Sequence, residues 1–142
     1  MFTEAFDEER GFVVWLLTGT TNSDEDYQRY VDSIVRLDRV AAGKHRPVAM
    51  LVVEAGNPAP GPTWRRRIAA ASTSLVSQPV FVLVTTSTLV RGVLTAINWL
   101  RPPSYPFAAR ATFEEGLRWV EDQRGPTEGL RELLASARAR VP

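Results

Sequence analysis

The sequence is poor in the side chains that most enzymes use for covalent and metal chemistry. It contains no cysteine and one histidine, His45. The lack of cysteine excludes disulfides, thiolate metal sites and cysteine nucleophiles, and a zinc site built mostly from carboxylates would be unusual. His45 lies among cations in the stretch Gly43–Pro47, and no partner spacing identifies a Ser–His–Asp assembly. The sequence therefore predicts no catalytic residue, no metal site and no cofactor, and we expect a protein that is not an enzyme.

An excess of charge of one sign and long apolar runs are also missing. Seventeen Lys and Arg residues face 16 Asp and Glu residues, which leaves a formal net charge of +1. This balance gives no reason to expect a nucleic acid or an anionic membrane as partner. No apolar stretch approaches the roughly 18 residues of a membrane span, and the start Met1–Glu4 lacks the basic and apolar regions of a signal peptide. We therefore expect a cytoplasmic domain with no membrane span and no nucleic-acid partner.

The apolar residues that are present form short runs separated by amphipathic segments. The 142 residues are 44% apolar, and a chain of this length buries about two thirds of its surface on folding. Strands are predicted at Phe2–Phe6, Phe12–Leu17, Pro47–Val53, Val80–Val84 and Pro106–Thr112. Helices are predicted from Ser23 or Asp24 to Gly43, from about Thr63 to Leu75, from Leu89 to Leu100, from Thr112 to Gln123, and after Gly125-Pro126. This order predicts an α/β domain with a four- to five-stranded, mostly parallel sheet flanked by helices.

The C-terminal half resembles a known family. The matching segments are Val80–Ser87, Leu89–Leu100, Tyr105–Phe107 and Thr112–Val120, the last being similar to the F-x-[ST]-x-E-E-A-L-x-W-L helix that closes many SpoIIAA-like sequences. Taken as a whole, residues 1–124 resemble the bacterial STAS and SpoIIAA-like domains. Residues 125–142 form a C-terminal helical extension of the same domain. The resemblance implies a STAS-like fold and a non-enzymatic regulatory or scaffolding module that binds a protein, as anti-sigma-factor antagonists do.

The sequence lacks the family's phosphorylation motif, since both the Asp and the flanking Gly pattern are missing. Anti-sigma-factor antagonists carry a phosphorylated Ser or Thr at the start of the second helix, in an Asp-Ser-(Ser/Thr)-Gly type motif. The corresponding stretch Ala59–Arg67 is A-P-G-P-T-W-R-R-R, in which Thr63 is the only hydroxyl residue and the Asp is missing. The resemblance makes Thr63 a possible phosphorylation site, which a helix N-terminus tolerates well. The alternative is that Thr63 is simply the N-cap of the helix.

Two groups of residues are candidates for contact with a partner protein or with a second copy of the chain. The first group begins the second helix and combines an aromatic with three guanidinium groups, which are favoured at interfaces: Thr63, Trp64, Arg65, Arg66 and Arg67. Alternatively, these arginines form a solvated helix face beside one core tryptophan. The second group, Leu89 and Trp99, lies off the apolar stripe of the third helix. Either the last helix covers these two side chains, or they form an exposed partner or homodimer surface.

Hydroxyl-rich turns follow the predicted parallel strands and therefore meet at one edge of the sheet. Ligands of open α/β sheets bind at this carboxyl edge, and helix N-termini there offer free N–H groups to anions. The possible anion-binding residues are Thr20, Thr86, Ser87 and Arg91. The alternative function is therefore a small-ligand-binding domain for a nucleotide, phosphate or lipid, lipid being an analogy with the related SEC14-like folds. Against this, Ser and Thr are ordinary cap and turn residues, and no glycine-rich phosphate-binding pattern is present.

Overall fold

The computed structural model describes residues 1–40 and 46–142, with only the backbone of Leu100, and shows an α/β domain. Its strands are β1 (Phe2–Asp7), β2 (Phe12–Leu17), β3 (Val48–Val53), β4 (Val80–Val84) and β5 (Phe107–Arg110). Its helices are α1 (Asp24–Val40), α2 (Pro62–Thr73), α3 (Thr88–Leu100), α4 (Phe113–Arg124) and α5 (Leu130–Ala139). The elements follow the predicted order. The predicted helix end at Gly43 and the residue His45 lie outside the described residues.

The five strands form one mixed sheet in the order β1-β2-β3-β4-β5. β1 is an edge strand that pairs antiparallel with β2, in a register that places Phe2 opposite Leu17. The turn between them ends at Gly11, whose φ of +73° is favourable only for glycine. The remaining pairs are parallel. The predicted strand number and the mostly parallel sheet are therefore confirmed.

The helices divide between the two faces of the sheet. In the sheet, β3, β4 and β5 each lie beside the strand that precedes them in the sequence, always in the same direction. Right-handed crossover connections then place α1, α2 and α3 on one face of the sheet. After β5 the chain passes to the other face, where α4 packs on β4 and β5 and α5 packs on β1 and β2. Leu130 and Ala137 of α5 are fully buried there. The last helix is therefore on the face opposite α3, and the expectation that it might cover Leu89 and Trp99 is wrong.

The central strands are buried on both faces, as their continuous apolar runs predict. Every residue of β2, β3 and β4 is buried. Because side chains alternate along a strand, Trp15 and Leu51 contact the α1–α3 side, whereas Val14 and Met50 contact the α4–α5 side. The sheet thus supports two separate apolar layers.

The two layers differ in how closely the helices approach the sheet. On one side, Gly116 lets α4 lie directly on β4, because a Cβ at this position would be 2.8 Å from Cγ2 of Val84. On the other side, α2 has no fully buried residue, and Val90 is the buried side chain among those described for α3. Aromatic rings fill part of the space beneath these two helices, with ring centroids of Phe81 5.2 Å from Phe107 and 6.3 Å from Tyr105. Bulky rings on this layer hold α2 and α3 away from the sheet.

Candidate functional site

The hydroxyl groups at the carboxyl edge of the sheet mostly serve the backbone. Ser87 is the N-cap of α3 and accepts a hydrogen bond from the N–H of Val90 at 3.2 Å. Thr112 caps α4 in the same way, and the buried Thr85 accepts from the N–H of Ser87 at 3.1 Å. The alternative that these residues are caps and turn residues is therefore confirmed for Ser87 and Thr112.

The candidate anion-binding residues are spread along this edge. Thr20 follows β2, whereas Thr86 and Ser87 follow β4. β2 and β4 are two strand spacings apart, so Thr20 is separated from the other two residues by about 10 Å across the sheet. Thr20 and Thr86 are exposed, and Arg91 is partly buried one turn into α3. The chain therefore does not bring these four residues into one cluster.

A pair of asparagine side chains closes the edge between β2 and β3. Asn57, which is 3% exposed, donates hydrogen bonds to the carbonyl oxygens of Thr18 and Gly19 at 3.0 and 3.2 Å. Asn22 and Asn57 also donate to each other's amide oxygens, at 2.9 and 3.0 Å. The N–H groups of both side-chain amides are used in hydrogen bonds within the protein, so this part of the edge has a structural role. Nothing in the sequence distinguished Asn57 from the rest of its Gly- and Pro-rich loop.

The start of α2 differs from the sequence prediction. Gly61 occupies the N-cap position without a side-chain cap, Pro62 is the first helical residue, and Thr63 follows inside the first turn with an exposed side chain. The alternative that Thr63 is the N-cap is therefore wrong, because the N-cap position lies two residues earlier, at Gly61. Its hydroxyl faces solvent at a helix N-terminus, where a phosphate would be accommodated.

Trp64 is not a core residue but a bridge between two helices. Its indole N–H donates to a carboxylate oxygen of Asp24 at 2.8 Å, and its ring centroid is 5.7 Å from that of Tyr27. The guanidinium of Arg67 lies 4.8 Å from the Trp64 ring centroid. The alternative that Trp64 is a core tryptophan is therefore wrong, whereas Ile68, one turn further along α2, packs against the core.

The predicted apolar residues of α3 are accessible. Leu89 is 68% exposed and Trp99 is 82% exposed. They are ten positions apart on the helix, which corresponds to about 15 Å along its axis. Both side chains are thus available for contact, although they do not form one compact patch.

An apolar cavity of about 70 Å³ lies beneath α2 and α3, on the sheet. Its lining runs along α2 from Arg65 to Thr73 and along α3 from Val90 to Asn98, which gives it a length of about 12 Å. Tyr27, Tyr30 and Tyr105 also line it. The cavity is therefore long and narrow, and its walls are mostly hydrocarbon.

A wider groove of about 830 Å³ lies above the cavity, between the outer faces of the same two helices. Cavity and groove share the side chains Arg65, Ala69, Val93 and Ile97. Small residues such as Ala69 and Gly92 line the groove, so the two helices do not close against each other. The groove is therefore an entrance that leads from solvent towards the cavity.

Arginine side chains stand at this entrance. Arg65, Arg66 and Arg101 line the groove, and Nε of Arg65 donates to the carbonyl oxygen of Pro60 at 2.8 Å. Arg67 and Arg91 do not line it. Sequence reasoning identified Arg65 and Arg66 but missed Arg101, which follows the helix and belongs to no recognisable pattern.

The phenols of Tyr30 and Tyr105 are neutral at physiological pH. Burial raises the pKa of Tyr105 to about 12. Burial and, to a smaller extent, the neighbouring Tyr105 raise the pKa of Tyr30 well above its ordinary value. The interior of the cavity therefore offers uncharged hydroxyl groups, and positive charge is confined to its entrance.

Neither a metal centre nor a membrane-crossing helix is found within residues 1–40 and 46–142. No three His, Cys, Asp or Glu side chains of this part are placed to hold a metal ion. No helix in it combines the length and apolar character needed to cross a bilayer. Comparison with models of known families, with curated proteins and with solved structures finds no match.

Proposed function

We propose that this chain is a non-enzymatic regulatory module that binds a small, largely apolar ligand between α2 and α3. The observation that carries the proposal is the apolar cavity beneath these helices, which shares four lining residues with an open groove. Binding sites for small molecules are concave, mostly apolar and equipped with a few polar groups. The cavity has this composition, and Arg65, Arg66 and Arg101 at its entrance can take an anionic group of the ligand. The proposed site is on the helical face, whereas the sequence suggested a site at the carboxyl edge of the sheet.

The proposal can be tested with anilinonaphthalene sulfonate, a fluorescent apolar probe with one anionic group. We expect saturable binding with one site per chain, and a higher melting temperature in the presence of the probe because it binds the folded state. Ala69→Trp should weaken this binding at least about tenfold, since Ala69 lines both the cavity and the groove and a large ring there fills the passage.

The matched control is Thr95→Trp, which adds the same ring at an exposed position of α3 outside the cavity and the groove. Thr95→Trp should bind the probe as the unchanged protein does. Near-ultraviolet circular dichroism of both variants verifies that the core is intact. Absence of saturable binding, or equal binding by Ala69→Trp, would show that the cleft is not the site.

A second candidate function is the docking of a protein, which the exposure of Trp99 and Leu89 favours. Exposed aromatic side chains are typical anchors of interfaces, and Thr63, Trp64, Arg66 and Arg67 add polar groups at the start of α2. This proposal follows the resemblance to STAS and SpoIIAA-like domains. That resemblance implies a cytoplasmic protein that acts in regulation by binding a partner. A phosphate on Thr63 would add negative charge beside Arg66 and Arg67 and so alter the same surface.

Sedimentation and affinity capture test this second candidate. If Trp99 forms a homodimer interface, Trp99→Ala should lower the dimer fraction at a given protein concentration. If it anchors another protein, Trp99→Ala, Trp64→Ala and Arg66→Ala should each reduce capture of one and the same protein from the source cells. Val35→Ala, which removes an exposed apolar group on α1, is the control. A monomer whose captured proteins are unchanged by all three variants would contradict docking at this face.

A further inference from the structure

The three tyrosines of the chain all line the cavity, and their hydroxyl groups are partnered differently. The hydroxyl oxygen of Tyr27 accepts a hydrogen bond from the side-chain amide of Asn22 at 3.0 Å. The hydroxyl of Tyr105 donates to the carbonyl oxygen of Ser72 at 3.1 Å. Tyr30 forms no hydrogen bond through its hydroxyl with any residue in the described part of the chain. Two of the three phenols thus have hydrogen-bond partners within residues 1–40 and 46–142, and the third has none there.

Tyr30 is nevertheless among the most buried and best fixed side chains of the domain. It is 3% exposed, and its ring centroid is 5.2 Å from that of Trp15 in an edge-to-face arrangement. The ring of Phe2 packs on it at 5.7 Å. Its hydroxyl oxygen is not among the fully buried side-chain atoms that lack a partner, so it remains accessible in a residue that lines the cavity. A rigid, unpaired hydroxyl on the wall of an apolar cavity is what a preorganised ligand contact requires.

We propose that Tyr30 is a specificity-determining residue of this cavity and donates a hydrogen bond to an uncharged oxygen of the ligand. The inference rests on the proposed function and adds the class of ligand: a flat or elongated, mostly hydrocarbon molecule with one hydroxyl or carbonyl oxygen in its buried part. The buried oxygen is uncharged because the arginines stand at the entrance and an unpaired ion inside an apolar cavity is costly.

A pair of probes separates this contact from simple apolar binding. Naphthalene and 2-naphthol have the same ring system, and 2-naphthol adds a single hydroxyl. If binding depends only on apolar contact, naphthalene binds more tightly than 2-naphthol, because the 2-naphthol hydroxyl loses its hydration and gains no hydrogen bond. A site with a hydrogen-bonding group directed at the ligand reverses this order, since the analogue without the hydroxyl leaves that group unpaired.

The experiment measures the dissociation constants of both probes by fluorescence titration with the full chain. We expect 2-naphthol to bind about tenfold more tightly than naphthalene. Tyr30→Phe should reverse the order, so that naphthalene becomes the tighter ligand. Tyr105→Phe is the matched control, because the Tyr105 hydroxyl already donates to the carbonyl oxygen of Ser72 and its removal should leave the order unchanged.

Thermal stability provides a second readout that does not depend on any ligand. Tyr30→Phe removes an unpaired hydroxyl, so its melting temperature should equal or exceed that of the unchanged protein. Tyr105→Phe removes a paired hydroxyl and should melt at a lower temperature. A lower melting temperature of Tyr30→Phe would mean that its hydroxyl has a structural partner, and would contradict the proposal.

The outcomes distinguish this inference from the proposed function. If both probes bind and naphthalene is the tighter ligand of the unchanged protein, the cavity is a binding site but Tyr30 does not select its ligand. The same holds if Tyr30→Phe and Tyr105→Phe shift the two dissociation constants alike. If neither probe binds, and anilinonaphthalene sulfonate does not bind either, the proposed function itself is overturned.

Discussion

At the scale of single residues, buried and partly buried polar side chains join segments that are distant in the sequence. Asn57 connects the loop after β3 to the loop after β2, 39 positions away, through the carbonyl oxygen of Thr18. Asp26 near the start of α1 accepts hydrogen bonds from the backbone N–H groups of Ser23 and Phe2, at 2.8 and 3.0 Å. Both residues fix the edge of the sheet at which α1 begins.

Replacement of Asn57 by alanine should lower the free energy of unfolding by about 2 kcal/mol, because buried carbonyl groups lose their donor. Urea unfolding followed by circular dichroism measures this change. Thr20→Ala, an exposed change in the neighbouring loop, should stay within about 0.5 kcal/mol of the unchanged protein. Similar values for the two variants would contradict the structural role assigned to Asn57.

Asp26 should make stability sensitive to acid. Burial by itself would raise the pKa of Asp26, but hydrogen bonds from the Ser23 and Phe2 backbone, from the Ser23 side chain and the attraction of the N-terminal ammonium outweigh it and lower the pKa. A lowered pKa means that this stabilisation is present above the ordinary value of 3.8 and is lost as the pH falls below it.

Asp26→Asn should therefore be less stable than the unchanged protein near neutral pH, by about 1 kcal/mol, because the capping box with Ser23 is weakened. The difference should shrink as the pH is lowered through the region below 4. Thermal melts of both proteins between neutral pH and pH 2 measure it. A difference that is constant over this range would rule out the carboxylate as its source.

At the scale of elements, the two faces of the sheet hold their helices by different means. Gly116 allows α4 to lie against Val84 and Val82 without an intervening side chain. On the other face, the rings of Trp15, Phe81 and Tyr105 occupy the layer beneath the helices. Close packing on the first face and a cavity on the second are consequences of side-chain size at a few positions.

The two helical glycines provide a matched pair of substitutions. Gly116→Ala should destabilise the protein by about 1 to 3 kcal/mol, because the added Cβ would collide with the β-branched, poorly adjustable Val84. Gly92→Ala meets nothing within 4 Å on the exposed side of α3, and should stabilise the protein by up to about 1 kcal/mol through helix propensity.

Urea unfolding of both variants gives the two values. Equal stabilisation by both substitutions would show that α4 is not in close contact with β4. Because both changes are glycine to alanine within a helix, the difference between them reports the packing of the two faces directly.

At the scale of the whole molecule, the domain should be unevenly stable. α4 buries Gly116, Leu117 and Val120, whereas α2 buries no residue fully. Regions with few buried apolar contacts open with the lowest free energy. The half of the α1–α3 layer that contains the cavity is thus the part best able to admit a ligand.

Hydrogen exchange should reveal this difference. Backbone amides of α2 and α3 are expected to exchange faster than those of α4 and of the strands β2 to β4, and to slow down when anilinonaphthalene sulfonate is bound. Mass spectrometry of peptides from exchanged protein measures both effects. Uniform protection across the helices would contradict a loosely packed α2–α3 pair.

The sequence by itself determined the order of the elements, their approximate bounds and the mostly parallel sheet. These features depend on local patterns: continuous apolar runs mark strands buried on both faces, three- and four-residue spacings mark helices, and Thr112 marks a helix start. Where the prediction was wrong locally, as for the cap of α2, the error was one or two residues, because Pro62 begins the helix as readily as Thr63 continues it.

The tertiary structure alone decided where a ligand could bind. The cavity depends on how far α2 and α3 stand from the sheet and from each other, and this distance is set by rings contributed from α1, β2, β4 and the segment before β5. The same three-dimensional arrangement determines whether the Tyr30 hydroxyl has a hydrogen-bond partner. In the sequence Tyr30 is one apolar position of a helical stripe, and no local pattern separates it from Tyr27, whose hydroxyl is paired with Asn22.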